Sequence, residues 1–190
     1  MPCGDRVQVL LRGQKAEIHL WSLNHERTIR QSLESIKNQC LLEDNPQETA
    51  IVLLDSGSTD RTKEIAEEFV DFIVDTSPYD EIRAREYGLY TSKADIVISF
   101  SPRVIYPKGV AARLAKPMLD NPNIVVTSGH IINDFFGGIA DTLFPKRYRP
   151  EITGVRRQVF VDSGMDIVNF VNFISNENFS FLPKAVAQVL

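Results

Sequence analysis

The chain has 190 residues, of which 43% are hydrophobic and 24% are charged, and its net charge is −4. This size and composition suit one globular domain with a sizeable core. The acidic balance, with an isoelectric point of about 5.4, excludes the overall basic field by which many proteins attract nucleic acid.

The two cysteines and the hydropathy of the chain bear on its location. Cys3 and Cys40 make no metal-ligand spacing and favour a reducing compartment. No stretch approaches the ~20 apolar residues of a membrane-spanning helix, and the first 15 residues lack the apolar run of a signal peptide. We therefore expect a cytoplasmic protein, with contact to a membrane surface left open.

The N-terminal part begins with two short β-like runs, residues 7–11 and 17–21, which we expect to form a hairpin around a turn at 12–15. Residues 26–40 follow with Ile29, Leu33, Ile36 and Cys40 spaced as on one face of a helix. Asn24 is the expected N-cap of that helix.

Strand-like and helix-like segments then alternate. Residues 51–54, 72–74, 96–100 and 124–127 are short apolar runs, and residues 65–69, 81–90 and 110–119 have helical periodicity. This order predicts an α/β fold with a mostly parallel sheet flanked by helices. Ligands of such sheets lie at the carboxyl ends of the strands, so the loops of interest are 22–26, 55–60 and 101–103.

The alternation stops near Asn133. Only residues 167–174 and 184–190 still have helical character, and Arg156 and Arg157 lie in a part without clear period. We expect a single domain whose first half, residues 1–132, binds a ligand. The second half, residues 133–190, would face an acceptor or form a homodimer.

The most informative segment is the turn after the second apolar strand, Asp55-Ser56-Gly57-Ser58-Thr59-Asp60. An acid at the tip of a buried strand is costly unless solvent or a ligand satisfies it. Gly57 permits positive φ, and the residues after it are good helix N-caps. The turn is therefore either an ordinary strand-to-helix connection with a capping carboxylate or a ligand site.

Four segments in order decide between these readings. The strings LWSLNHE, LLDSGSTDRTKEIAEEF, AREYGL and ADIVISF together resemble the family 2 glycosyltransferases of the GT-A fold. The resemblance covers about residues 16–132 and implies a nucleotide-sugar donor. It implies that Asp55 contacts the base or ribose, that Ser22 and Leu23 line the base pocket, and that Arg85 lies near the base or diphosphate.

Each of these roles has a plainer alternative. Glu26 matches the family's acid in the first loop, and its alternative is helix capping. Arg85 has as its alternative a surface ion pair with an acid on its own helix, an interaction worth only ~0.3–0.5 kcal/mol.

The chain departs from the family where the family has Asp-x-Asp, because Ser101-Pro102-Arg103 stands there. The acidic pair holds Mg²⁺ or Mn²⁺ in such enzymes, and a hydroxyl and a cation are unsuited to that task. We therefore expect no metal cofactor. In one interpretation, the Arg103 guanidinium replaces the metal at the diphosphate, with Ser101 beside it. In the other, the domain is a silent module that binds a sugar nucleotide or a partner protein.

The catalytic base is the least determined part of the site. Inverting members use an Asp or Glu in the C-terminal half, and Asp162 and Asp166 are the candidates here, each with a loop or capping role as its alternative. The stretch from Lys146 to Arg157 carries five cations and could hold an acidic acceptor or an anionic membrane surface. Its alternative is a solvated loop.

Overall fold

The computed structural model describes residues 16–37, 49–106, 109–129, 152–167 and 169–170. Within these ranges the chain forms six strands and five helices. In chain order they are β1 (Ala16–Ser22), α1 (Ile29–Lys37), β2 (Thr49–Asp55), α2 (Thr62–Ala66), β3 (Phe72–Asp75), α3 (Glu81–Thr91), β4 (Ile96–Phe100), α4 (Val110–Asp120), β5 (Val126–Gly129), β6 (Ile152–Arg156) and α5 (Arg157–Ser163).

The strands make one sheet in the order β3-β2-β1-β4-β6-β5. β1 is parallel to both of its neighbours, β2 and β4, and β3 is parallel to β2. β6 is antiparallel to β4 on one side and to β5 on the other. The parallel pairs require crossovers, which the intervening helices supply. The predicted α/β fold with a mostly parallel sheet is therefore confirmed.

Helices cover both faces of the sheet, which explains why its strands are apolar without alternation. Ile18 of β1 and Ile98 of β4 pack with side chains of α1, α2 and α4 on one face. Val97 of β4 packs on the other face with Leu89 of α3 and Phe160 of α5. Consecutive residues of β4 are thus buried on opposite sides.

The second apolar face also contains a polar pair on β1. Glu17 Oε2 lies 2.7 Å from His19 Nε2, and both side chains are buried. Burial raises the pKa of Glu17, but the hydrogen bond and charge of His19, with hydrogen bonds from Ser92 and the Lys93 backbone, lower it further than burial raises it. The pair therefore places an ionised carboxylate inside the sheet layer.

The starts of α1 and β5 and the expected cap of α1 differ from the sequence-based predictions. α1 begins at Ile29 instead of 26, and Asn24 does not cap it, because Asn24 has a φ of 55° and its Oδ1 accepts from Thr59 N. The predicted strand 124–127 is β5, which begins two residues later at Val126.

β6 and α5 were missed altogether. Residues 152–156 form a strand and residues 157–163 a helix, where the sequence indicated no regular element. The strand is five residues long and contains Gly154, so its own propensity is weak. It forms because β4 and β5 flank it, and that pairing is not visible in local sequence.

Several predictions lie outside the described residues. They concern the strand at 7–11 and its turn, Cys3, Cys40, the basic residues 146–149 and the helix at 184–190. Of the helix expected at 167–174, only residues 167, 169 and 170 are described, and Phe170 N donates to Asp166 O.

Gly88 sets how closely α3 approaches the sheet. A Cβ built on it would lie 2.8 Å from His19 Nδ1 and 2.8 Å from Leu54 Cδ1. Both contacts are closer than packed atoms tolerate, so any side chain here pushes the helix away from β1 and β2.

We predict that Gly88→Ala lowers the free energy of unfolding by about 1–3 kcal/mol, because overpacking outweighs the gain of up to ~1 kcal/mol in helix propensity. Urea denaturation measures the change. The control is Arg83→Ala on the exposed side of α3, which should leave the stability within about 0.5 kcal/mol of the original. A Gly88→Ala protein as stable as the control would contradict the close approach of helix and sheet.

Candidate functional site

The loops after β1, β2 and β4 meet at one edge of the sheet. The register pairs Ser22 with Asp55, and Leu20 with Phe100, so these neighbouring parallel strands end at nearly the same level. Their carboxyl ends therefore deliver the three predicted loops to the same place, as expected for the ligand edge of an α/β sheet.

Asp55 is the last residue of β2 and is only 2% exposed. Its Oδ2 accepts hydrogen bonds from the backbone N–H groups of Gly57 (3.1 Å) and Ser58 (2.9 Å), and Lys63 Nζ lies 3.8 Å from it. Gly57 has a φ of +95°, which lets the turn fold back onto the carboxylate. The second oxygen, Oδ1, is buried and has no hydrogen-bond partner among the described residues.

Hydrogen bonds cross between the loops after β1 and β2 in both directions. Asn24 N donates to Ser58 Oγ, and Asn24 Oδ1 accepts from Thr59 N. Glu26 N donates to Asp60 Oδ2, and Glu26 Oε2 accepts from Arg61 N. Each loop therefore supplies side-chain acceptors to the backbone of the other, and the pair forms one rigid rim.

Glu26 thus has the structural role that the sequence offered as its alternative, although it caps α2 rather than its own helix. Arg61 is the residue before α2, and its N–H is one of the donors left free at a helix start. Asp60 completes the arrangement by accepting from Thr62 N at 3.0 Å. Burial raises the pKa of Asp60, while hydrogen bonds from Thr62 and from the Glu26 backbone lower it by more.

A chain of side-chain hydrogen bonds links the ends of three strands beneath this rim. Trp21 Nε1 donates to Ser56 Oγ at 2.9 Å, and Ser56 Oγ lies 3.0 Å from Thr76 Oγ1. Ser22 is fully buried, and its hydroxyl lies 3.1 Å from His25 Nδ1. Leu23, in contrast, is 40% exposed at the surface of the first loop.

Arg85 is held on α3 by an ion pair with Glu81, with 2.6 Å between its Nη2 and Glu81 Oε1. The Arg85 side chain is only 10% exposed, whereas that of Glu81 is 41% exposed. This is the same-helix pair that the sequence offered as the alternative to ligand binding. The charge of Glu81, at the start of α3, also acts on His25 and raises its pKa, against the larger lowering by burial and Arg103.

The turn after β4 contains Ser101 and Arg103. Ser101 is buried, its Oγ accepts from Arg103 N at 3.4 Å, and its carbonyl accepts from Ser32 Oγ and Tyr106 Oη. Arg103 is exposed, and its positive charge reaches His25 across the edge of the sheet. Ser101 therefore shapes the turn, and Arg103 presents a cation there.

The turn does not fit a divalent metal ion. Mg²⁺ and Mn²⁺ prefer carboxylate oxygens, whereas this position offers one hydroxyl that is used within the turn and one guanidinium that repels cations. Nor do three His, Cys, Asp or Glu side chains come together as a metal site anywhere in the described ranges.

The two carboxylates considered as catalytic base lie around the end of α5. Asp162 Oδ1 accepts from Gln158 Nε2 at 2.7 Å, and Asp166 accepts from Asn169 N and Asn169 Nδ2. The Asp166 contact is the capping role named as an alternative, whereas the Asp162 contact is a side-chain pair within α5. Glu86 of α3 anchors the same region by accepting from Ile167 N at 2.8 Å. A role of either aspartate as base stays a prediction.

Two groups at the site were not singled out from the sequence. Lys63 contacts Asp55 from the second residue of α2, and a lysine in a polar helix start carries no distinguishing signal. His25 lies between Asn24 and Glu26 of the first loop, and by itself it forms no ligand motif with the other histidines of the sequence. Its position within the family-like string was the signal that could have identified it.

Two of the five cations in the basic stretch bind backbone carbonyls of the domain. The Arg156 guanidinium donates to Met118 O, Asn121 O and Ile124 O, and Arg157 Nε donates to Ala94 O. They are therefore structural rather than solvated. Over the part of the chain that the structure describes, no helix has the length and apolar character needed to cross a membrane.

Comparison with known proteins agrees with this architecture. The model of the glycosyl transferase family 2 matches residues 18–172. The matched region is most of the chain and includes all six strands except the first two residues of β1. The chain therefore belongs to glycosyl transferase family 2. No curated protein sequence matches it.

Three solved structures of similar fold are distant in sequence from this chain. One is the mannosyltransferase PcManGT from Pyrobaculum calidifontis in complex with GDP-Man and Mn²⁺, at 18% identity and a TM-score of 0.62, covering 79% of this chain and 46% of that one. Another is glucosyl-3-phosphoglycerate synthase from Mycobacterium tuberculosis with Mn²⁺, UDP-glucose and phosphoglyceric acid, at 18% identity and a TM-score of 0.61, covering 93% and 70%.

A third similar structure is S. aureus TarS 1–349, at 16% identity and a TM-score of 0.62, covering 80% of this chain and 50% of that one. At these identities the likeness shows a common fold, the GT-A fold of glycosyltransferases. The chain spans about half the length of PcManGT and of this TarS fragment.

The hydrogen bonds of Asp60 in this rim should make part of the protein's stability depend on pH. Because the folded pKa of Asp60 is lowered, its contribution is present above its unfolded pKa of ~3.9 and is lost as the pH falls through the lower folded value. We predict that Asp60→Asn lowers the melting temperature at pH 6–7, and that the difference from the original protein shrinks toward pH 3.

Thermal unfolding followed by circular dichroism across this pH range measures the effect. Asp120→Asn is the control, since Asp120 forms an exposed pair with Lys116 on α4 and should change the melting temperature little at any pH. An Asp60→Asn protein whose melting curve differs from the original equally at pH 3 and pH 7 would contradict the role of the ionised carboxylate.

Proposed function

We propose that the protein transfers a sugar from a nucleoside-diphosphate donor to an acceptor hydroxyl, with inversion at the anomeric carbon and without a divalent metal ion. The observation that carries this proposal is Asp55 Oδ1, a buried carboxylate oxygen without a partner among the described residues at the carboxyl edge of the sheet. Membership of glycosyl transferase family 2 supports the reaction class.

An unpaired buried oxygen of this kind costs about 1–3 kcal/mol, and a ligand that donates a hydrogen bond to it recovers that cost. A ring N–H of a nucleobase and a ribose hydroxyl are both suitable donors. Ser22, Leu23 and Glu26 belong to the rim around Asp55, and Arg85 lies on the neighbouring helix α3. We assign these five residues to the nucleotide end of the donor.

The diphosphate end is assigned to the turn with Ser101 and Arg103. The acceptor oxygen forms its bond to the anomeric carbon while the bond from that carbon to the diphosphate oxygen breaks on the opposite face. Negative charge then develops on the leaving diphosphate, and a guanidinium can stabilise it through two parallel hydrogen bonds. The acceptor proton passes to a carboxylate, for which Asp162 and Asp166 are the candidates.

The similar structures support the class of donor. PcManGT was solved with GDP-Man, the mycobacterial synthase with UDP-glucose, and TarS with UDP. The first two also contained Mn²⁺. In this chain, the turn with Ser101 and Arg103 suits a phosphate better than a cation. The cytoplasmic location, the peripheral membrane contact and the homodimer stay predictions.

The alternative function is a silent module that binds a sugar nucleotide or a partner protein. The contacts of the two candidate bases favour it, because Asp162 and Asp166 both accept hydrogen bonds from their own helical segments. A module of this kind would still need the Asp55 site for nucleotide binding. It differs from the enzyme only in lacking turnover.

Nucleotide binding at Asp55 is tested by calorimetric titration with UDP and GDP. We predict that at least one binds the original protein and that Asp55→Asn weakens it about tenfold or more, because the amide provides one acceptor where the carboxylate provides two. Asp120→Asn is the matched control on the opposite side of the domain. Binding of neither nucleotide would overturn the proposed function.

The metal-independent version is tested by turnover. Hydrolysis of, or transfer from, UDP-glucose and GDP-mannose should continue in excess EDTA, and Arg103→Gln should lower kcat by about tenfold or more. Lys93→Gln removes the same charge next to the amino end of β4, away from the site, and should leave kcat unchanged. Activity lost in EDTA and restored by Mn²⁺ would rule out the metal-independent reaction. Binding without any turnover would favour the silent module.

A further inference from the structure

We propose that His25 binds the donor's diphosphate by donating its Nε2–H to a phosphate oxygen beside Arg103. The inference rests on the proposed function, since it assigns a ligand to the same site. It makes the first loop a second source of phosphate contacts, where Ser101 and Arg103 replace the acidic pair of the family.

The ring nitrogen that carries the proton follows from one backbone contact. Leu23 N donates to His25 Nδ1 at 3.1 Å, and a backbone N–H can only donate. Nδ1 must therefore be an acceptor, and the Ser22 hydroxyl, 3.1 Å from the same nitrogen, donates as well. The neutral ring then carries its proton on Nε2. None of the described residues hydrogen-bonds this nitrogen.

The orientation of the ring is fixed from several sides. Trp21 packs edge-on against it, with 5.7 Å between the ring centroids. The His25 backbone N–H donates to Thr62 Oγ1 at 2.8 Å, and its carbonyl accepts from Thr28 N and Ile29 N at the start of α1. The N–H of Nε2 is therefore presented by a preorganised loop, which limits the entropy lost on binding.

The charges around His25 place it at the diphosphate end. β1 and β4 are adjacent, and both loops leave the sheet within a few residues of the pair Leu20 and Phe100. Arg103 in the loop after β4, Asp60 in the loop after β2 and Glu81 of α3 each act on the His25 ring through their charges. Burial, and after it the charge of Arg103, lower the pKa of His25, while Asp60 and Glu81 act in the opposite direction.

A neutral imidazole is the suitable neighbour for an arginine at this position. It adds a donor without adding a second positive charge that would repel the guanidinium. Arg103 offers a planar fork for two oxygens, and His25 offers one directed N–H. Together they form a cradle for adjacent phosphate groups, which is the chemistry common to UDP, GDP and their sugars.

The matched pair His25→Asn and His25→Gln separates ligand binding from loop structure. Asn places an oxygen near the position of Nδ1, so it keeps an acceptor for Leu23 N–H but loses the distant donor. Gln places an amide N–H near the position of Nε2. Calorimetry then compares UDP with uridine and GDP with guanosine for each variant.

We expect His25→Asn to weaken diphosphate binding about tenfold while the Kd of the nucleoside changes less than about twofold, and His25→Gln to recover part of the loss. Diphosphate affinity unchanged in His25→Asn would overturn the inference and leave the proposed function intact. Equal weakening of nucleoside and diphosphate would also overturn it, because that result indicates a role in loop structure alone. Failure of the original protein to bind any of the four would overturn the proposed function and this inference together.

Discussion

The structure of the site depends on the hydrogen bonds that join the loops after β1 and β2. Asn24 and Glu26 supply acceptors to the second loop, and Ser58 and Asp60 supply acceptors to the first. These hydrogen bonds satisfy four backbone N–H groups that have no partner within a strand or a helix. The exchange holds Asp55 and His25 at fixed places on the edge of the sheet, and the proposed ligand contacts of these two residues depend on it.

The same hydrogen bonds allow acidic and basic side chains to lie together at the site. Asp60 stays ionised because it accepts hydrogen bonds from Glu26 N and Thr62 N. Its negative charge acts on the pKa of His25 in the opposite direction to the charge of Arg103. Asp55 Oδ2 accepts hydrogen bonds within its own turn, and Asp55 Oδ1 is buried without a partner among the described residues. Under the proposed function, Asp55 is the acceptor for the nucleoside, and Arg103 and His25 are the donors for phosphate. In the proposed reaction, electrostatic complementarity takes the place of a metal ion in orienting the donor.

Tertiary contacts also changed the meaning of several residues that had been assigned from pattern alone. Asn24 was a sound N-cap by residue type, but its positive φ directs its amide to Thr59. Arg156 and Arg157 read as part of a basic surface, yet their guanidinium groups bind carbonyls of α4, of the loop after it and of the loop before β4. In each case the polar group forms a hydrogen bond with a residue far away in sequence. Local propensity carries no information about such partners.

The sequence by itself determined the parallel core of the sheet, the helices on its faces and the position of Asp55, because these follow from local periodicity and from one specific turn string. That Ser101 and Arg103 stand where the family has acids stays a prediction from the resemblance. Only the tertiary structure decided the place of β6 between β4 and β5, since its antiparallel pairing with β4 joins residues more than 50 positions apart. It likewise decided the tautomer of His25, because a proton's place on a ring depends on which neighbour donates to it.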